Sequence, residues 1–173
     1  QGAFVNSYKA NVMASYYSLH DKPVGATSKL GESGQINPSI SIGTRLPLAV
    51  SGFGKTAMFE PKAQIVWVGG ADRTQEVPNR DSADYRIDEA NLFLLNRYQG
   101  KDYILPGTRA DLGVSGVAND QTFGKLAGFI GLSRRISGKP SEGLAPDQGN
   151  IYSDYVASLS INPPQNIALS WSG

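Results

Sequence analysis

Apolar residues occupy every second position over long stretches of this chain. Across residues 34–50, Ile36, Pro38, Ile40, Ile42, Leu46, Leu48 and Val50 take even numbers, while Gln35, Asn37, Ser39, Ser41 and Arg45 take odd ones. Successive side chains of a strand point to opposite faces, so a period of two predicts a strand with one apolar face. Pro38 has no N–H to give to a ladder and belongs near the strand start or at an irregularity. After a short turn at 51–55 the pattern resumes, with Ala57, Phe59, Pro61, Ala63, Ile65 and Trp67 on one face and Glu60, Lys62 and Gln64 on the other. Two alternating runs joined by a short Gly-containing link predict a hairpin.

The alternation recurs over 103–117, where Ile104, Pro106, Ala110, Leu112 and Val114 oppose Arg109, Asp111 and Ser115. It returns over 151–161, with Ile151, Tyr155, Leu159 and Ile161 against Tyr152, Asp154, Ser158 and Ser160. Residues 122–136 form a further strand whose faces stay unassigned, because Phe123, Ala127 and Phe129 compete with Leu126, Ile130 and Leu132. A weakly patterned strand over 4–19 begins the chain, and Ile167, Leu169 and Trp171 begin a last one.

Short links at 51–55, 119–121 and 162–166 alternate strictly with long polar links at 20–33, 70–102 and 138–150. This predicts an all-β fold, an antiparallel up-and-down meander of about six to seven long strands with short turns at one rim and long loops at the other, as in outer-membrane barrels. The strands exceed the roughly five or six residues usual in globular proteins, and about 9 to 11 suffice to cross hydrocarbon. Aromatics near strand ends (Tyr16, Tyr17, Phe53, Trp67, Tyr103, Trp171) resemble interfacial girdles. The same alternation also describes a soluble β-sandwich, with the apolar face inward. Loop asymmetry favours the membrane arrangement. Known barrels begin at about eight strands, so we expect residues 1–173 to be a partial barrel domain, incomplete at both ends.

Composition narrows the chemistry. The chain has 173 residues, 40% of them apolar, enough for a folded domain. A net charge of +1 gives no electrostatic footprint for nucleic acid. Zero cysteines exclude disulfides and thiolate metal sites, and the single His20 leaves no histidine pair. No stretch of about 18 apolar residues offers a transmembrane helix. Neither a G-x-S-x-G elbow nor a P-loop, an H-E-x-x-H or a dinucleotide fingerprint is present. Ser18, His20 and Asp21 lie too close in sequence to be more than loop composition. We therefore assign no catalytic, cofactor or metal residues and expect no enzyme. Residues 71–89 carry six carboxylates against three arginines, but match no EF-hand spacing and read as a solvated loop. Residues 89–98 predict a short helical turn inside that loop, ended by Gly100.

Three spaced motifs carry a resemblance. Phe59-Glu60-Pro61-Lys62-Ala63-Gln64-Ile65-Val66, then Val77-Pro78-Asn79-Arg80-Asp81-Ser82, then Asn91-Leu92-Phe93-Leu94-Leu95-Asn96-Arg97-Tyr98-Gln99-Gly100-Lys101-Asp102, are similar to the barrel region of the LPS-assembly protein family LptD. The family is also called organic solvent tolerance protein, OstA, and the likeness is to its alphaproteobacterial members. The family pattern reads roughly L-E-P-x-A-Q, I-P-x-x-D-S and N-L-F-x-x-N-R-F-S-G-x-D-R. The motif positions are Glu60, Pro61, Gln64, Pro78, Asp81, Ser82, Asn91, Leu92, Phe93, Asn96, Arg97, Gly100 and Asp102. Tyr98-Gln99 replaces Phe-Ser, and the basic residue expected at 103 is a tyrosine. The family's jellyroll domain and its gate-forming first and last strands have no counterpart in the matching stretch.

The resemblance implies a piece of the outer-membrane translocon that inserts lipopolysaccharide into the outer leaflet of a Gram-negative cell. Implied partners are lipopolysaccharide, a plug lipoprotein of the LptE type, outer-membrane lipid and the barrel-assembly machinery. Arg45, Glu60, Lys62, Arg109 and Asp111 are then expected to face the lumen, and Ile40, Ile42, Leu112 and Leu159 to face lipid. Two alternatives remain open at this point: a soluble β-sandwich binding glycans through Trp67 and Trp171, and a piece of another outer-membrane barrel such as a porin or hydrolase.

Overall fold

A computed structural model of the chain describes residues 3–19, 31–52, 55–70, 87–97, 106–120, 124–138, 155–163 and 169–172. Its strands are β1 (Val5–Leu19), β2 (Gly31–Arg45), β3 (Leu48–Gly52), β4 (Lys55–Val68), β5 (Gly107–Asp120), β6 (Gly124–Ser137), β7 (Val156–Asn162) and β8 (Leu169–Ser172). All pairings are antiparallel within one sheet, in the order β1-β2-β4-β5-β6-β7-β8, with β3 also on β4. The fold is the expected all-β meander. Among the described residues the sheet is open, with β1 and β8 at its edges.

The eighth strand is a subdivision. Pairing runs from Ser39↔Val68 to Arg45↔Lys62 and continues in the same register from Leu48↔Phe59 to Gly52↔Lys55. β2 and β3 are therefore one strand interrupted at Leu46 and Pro47. Pro61 faces the break, its carbonyl accepting from the Leu46 N–H at 3.0 Å. With neither Pro47 nor Pro61 able to donate, the ladder lapses and then resumes. Pro38 lies within β2 where pairing to β4 ends; its carbonyl takes the Gly69 N–H at 2.8 Å, and its missing donor falls at that boundary. Gly70, at φ 109°, turns the chain out of β4 where a Cβ would stand 2.4 Å from the Asn37 amide.

Which face is buried decides the fold's meaning. Along β2 the buried residues are Asn37, Ser39 and Ser41 (Ser41 2% exposed), while Ile36, Ile40 and Ile42 (58%) are exposed. β4 continues this, with Glu60 and Gln64 buried and Phe59, Ile65 and Trp67 exposed; on β5, Asp111 is buried and Leu112 and Val114 exposed. A soluble sheet buries its apolar face; this one does the reverse.

The faces of β6, ambiguous in sequence, are now assigned. Leu126 and Ile130 share the exposed face, and Phe129 is buried on the polar side. The apolar residues buried among those described are Val66, Val68, Leu92, Phe129 and Val156, and register puts all of the strand members on the polar face. Short gaps after β3, β5 and β7 alternate with long ones after β1, β4 and β6.

Candidate functional site

The polar face of β4, β5 and β6 carries a buried charge network capped by residues 87–97, part of the long link between β4 and β5. Its hub is Asp111, 0% exposed. Alternation along β5 turns Asp111 to the same side as Arg109, and register sets it against Gln64 of β4 and Ser133 of β6. Gln64 Nε2 donates to Asp111 Oδ2 at 3.3 Å, and the Ser133 hydroxyl donates to Oδ1 at 2.7 Å. Arg109 Nε donates to Oδ2 at 3.3 Å. Arg97 donates from the link to Oδ1, and to the Ser133 hydroxyl at 2.8 Å. A carboxylate with four donors, two of them guanidinium, is the form in which a buried charge is tolerated.

Both arginines also bind the link's backbone. Arg97 Nη2 donates to the Leu92 carbonyl at 3.0 Å, and Arg109 Nη2 to the Leu94 carbonyl and to that of Leu95 at 3.1 Å. The segment is shaped locally by a reciprocal pair: the Asn91 N–H donates to Asp88 Oδ1, and the Asp88 N–H to Asn91 Oδ1, each at 2.9 Å. The Leu92 N–H reaches the Asp88 carbonyl at 3.0 Å, closing one helix-like turn that does not extend into a helix. Gly100, the expected stop, lies outside the described residues.

Leu92, 0% exposed, then seats on the sheet with Phe129 and Val156, flanked by Ile87 and Phe93. Phe93 meets Phe129 edge to face at 6.4 Å. Space for this comes from a cross-strand glycine pair, Gly113↔Gly131. A Cβ on Gly131 would stand 2.5 Å from Leu92 Cδ2, and one on Gly113 2.9 Å from the Phe129 ring. Glu89 accepts from the Ser158 hydroxyl, tying the segment to β7 as well. Of the stretch 71–89 read as a solvated loop, Asp88 and Glu89 are exposed, with partners within the protein; further along the same link an apolar notch in a polar wall holds the buried Leu92. The rest of the acidic stretch weighed for calcium, 71–86, lies outside the described residues.

A second cluster sits nearer the β2–β3 break. Arg45 Nη1 meets Glu60 Oε2 at 3.2 Å, and Lys62 Nζ meets Glu60 Oε1 at 3.0 Å. Arg45, Glu60, Lys62, Arg109 and Asp111 therefore occur in two separate clusters on one face. Of the motif positions, Gln64 and Arg97 bond to Asp111; Leu92 lends Arg97 its carbonyl and packs with Phe93 on Phe129; Asn91 shapes the turn; Glu60 and Pro61 sit at the break; Asn96 stands beside Arg97. Pro78, Asp81, Ser82, Gly100 and Asp102 lie outside the described residues. Sequence alone assigns no role to Ser133, Phe129, Val156 or the two glycines. Only the competing apolar sets of β6 hinted at them.

An antiparallel meander of long strands, polar on its buried side and apolar on its exposed side, is the wall of an outer-membrane β-barrel. The family model LptD, LPS transport system D, matches residues 3–173, and the chain belongs to that family. Membership ties it to lipopolysaccharide transport and assembly at the outer membrane of Gram-negative bacteria. No curated protein matched the sequence.

Proposed function

We propose that residues 1–173 form part of the wall of a larger barrel that delivers lipopolysaccharide into the outer leaflet, its polar face lining an aqueous interior and its apolar face meeting acyl chains. The observation that carries this is the inverted burial of β2, where Asn37, Ser39 and Ser41 are covered and Ile36, Ile40 and Ile42 are bare. Water and sugar hydroxyls can solvate the first set; only hydrocarbon suits the second.

In this reading Arg45, Glu60, Lys62, Arg109 and Asp111 are lumen residues that pair along the wall, and none of them acts catalytically. The segment 87–97 narrows the passage beside them. A plug lipoprotein of the LptE type would occupy the remaining interior, and the barrel-assembly machinery would close the strands flanking β1 and β8. The glycan-binding sandwich is disfavoured because its apolar face would need a second sheet. The test is depletion of the full-length protein in its own host. Newly made lipopolysaccharide should stop reaching an outer-leaflet modifying enzyme, and unimpaired arrival would refute the proposal.

A further inference from the structure

The sheet draws on two sources of stability, and they divide along its strands. The apolar residues buried among those described, Val66, Val68, Leu92, Phe129 and Val156, all lie on β4, β6, β7 or the segment 87–97. β1 and β2 supply none. Their large apolar side chains, among them Tyr8, Val12, Ile36, Ile40 and Ile42, stand bare on the outer face, where burial comes only from hydrocarbon.

The inner contacts need no lipid. Leu92, Phe129 and Val156 pack on one another, and the Asp111 carboxylate takes its donors from Gln64, Arg97, Arg109 and Ser133. Protein groups alone complete both sets, which together join β4, β5, β6, β7 and the link. The chain closures are also short. Arg97 meets Asp111 across 14 residues and Ser133 meets it across 22, and loops of such length close at modest entropic cost. Three or more strands with an apolar cluster packed on one face are what an isolated sheet needs to persist in water.

We propose that β4–β7 and residues 87–97 form a folding nucleus that assembles in water, before lipid covers the outer face. β2 and then β1 add to its β4 edge as the sheet enters the membrane. Residues 87–97 thereby serve assembly as an internal clamp. This order rests on the reading that the apolar face meets lipid.

The test is pulsed hydrogen exchange read by mass spectrometry on the full-length protein, diluted from urea first into buffer and then into detergent micelles. In buffer, amides of 88–94, 109–113 and 129–133 should gain protection several-fold over those of 6–16 and 34–42. The latter should stay near the unfolded rate until micelles are added. Leu92→Ala should remove the early lead and Leu92→Met restore most of it, while Val12→Ala on the outer face of β1 leaves it intact. The unsubstituted protein carries the first comparison by itself, so a Leu92→Ala chain that fails to fold leaves the test decisive. No protection of 109–113 and 129–133 before micelles, or a lead that survives Leu92→Ala, would overturn the nucleus and leave the lipid-facing reading intact. Protection of 6–16 and 34–42 in buffer equal to that in micelles would overturn both.

Discussion

Arg97 and Asp111, fourteen residues apart in sequence, form an ion pair that ties the link after β4 onto the polar face of β5. Asp111 is fully buried and answers a second arginine, Arg109, at the same time. Removing its charge takes away the carboxylate that both guanidinium groups share. Asp111→Asn should therefore destabilise the folded barrel by about 3 to 5 kcal/mol, read as a lower temperature for loss of the heat-modifiable band on a gel. Loss below about 1 kcal/mol would contradict the role given to Asp111.

The cluster around Glu60 offers the contrast. Arg45 has a side chain 54% exposed, so solvent screens its pairing. Glu60→Gln should cost within about 1 kcal/mol by the same gel assay. Equal losses at Glu60 and Asp111 would mean that burial does not separate the two clusters.

Arg109 cannot be exchanged freely either. A lysine in its place offers a single ammonium, which cannot reach the Asp111 carboxylate and the Leu94 and Leu95 carbonyls in the way the forked guanidinium does. Arg109→Lys should loosen residues 87–97 and raise their hydrogen exchange without changing exchange in β2. Unchanged protection would show that one contact suffices.

Glycine substitutions test the notch. Gly131→Ala pushes a methyl into Leu92 and Phe129, whereas a Cβ on Gly128 meets nothing nearer than 3.5 Å. Protease should cut within 87–97 of the Gly131→Ala protein and spare the Gly128→Ala protein. Leu92→Ala should lower the protection of the segment by about 2 to 5 kcal/mol.

Parity is directly measurable because the chain has no cysteine. Single cysteines placed over 36–44 and spin-labelled should report lipid-soluble oxygen at even positions and aqueous quencher at odd ones. Leu112→Arg on the exposed face should cost about 2 to 4 kcal/mol near the midplane. Uniform accessibility would remove the membrane reading.

How much of this was legible in sequence depended on distance along the chain. The faces of β2, β4, β5 and β7 follow from strict alternation, since each strand carries its own pattern. β6 did not follow, because Phe129 is apolar for the sake of Leu92 and Val156, which lie far from it in sequence. The break at Leu46 and Pro47 passed as a continuous run because the register survives it. The motif around Asn91 and Arg97 pointed to a family, but not to Asp111 and Ser133 as its seat. Those contacts come from strand register, which no local pattern encodes.

A barrel wall is one strand thick and has no second layer behind it to resist shear between staves. By gripping β4, β5, β6 and the returning link at one carboxylate, Asp111 acts as an internal rivet. Under the proposed function, any flexing of the wall as cargo passes should be least at these three strands.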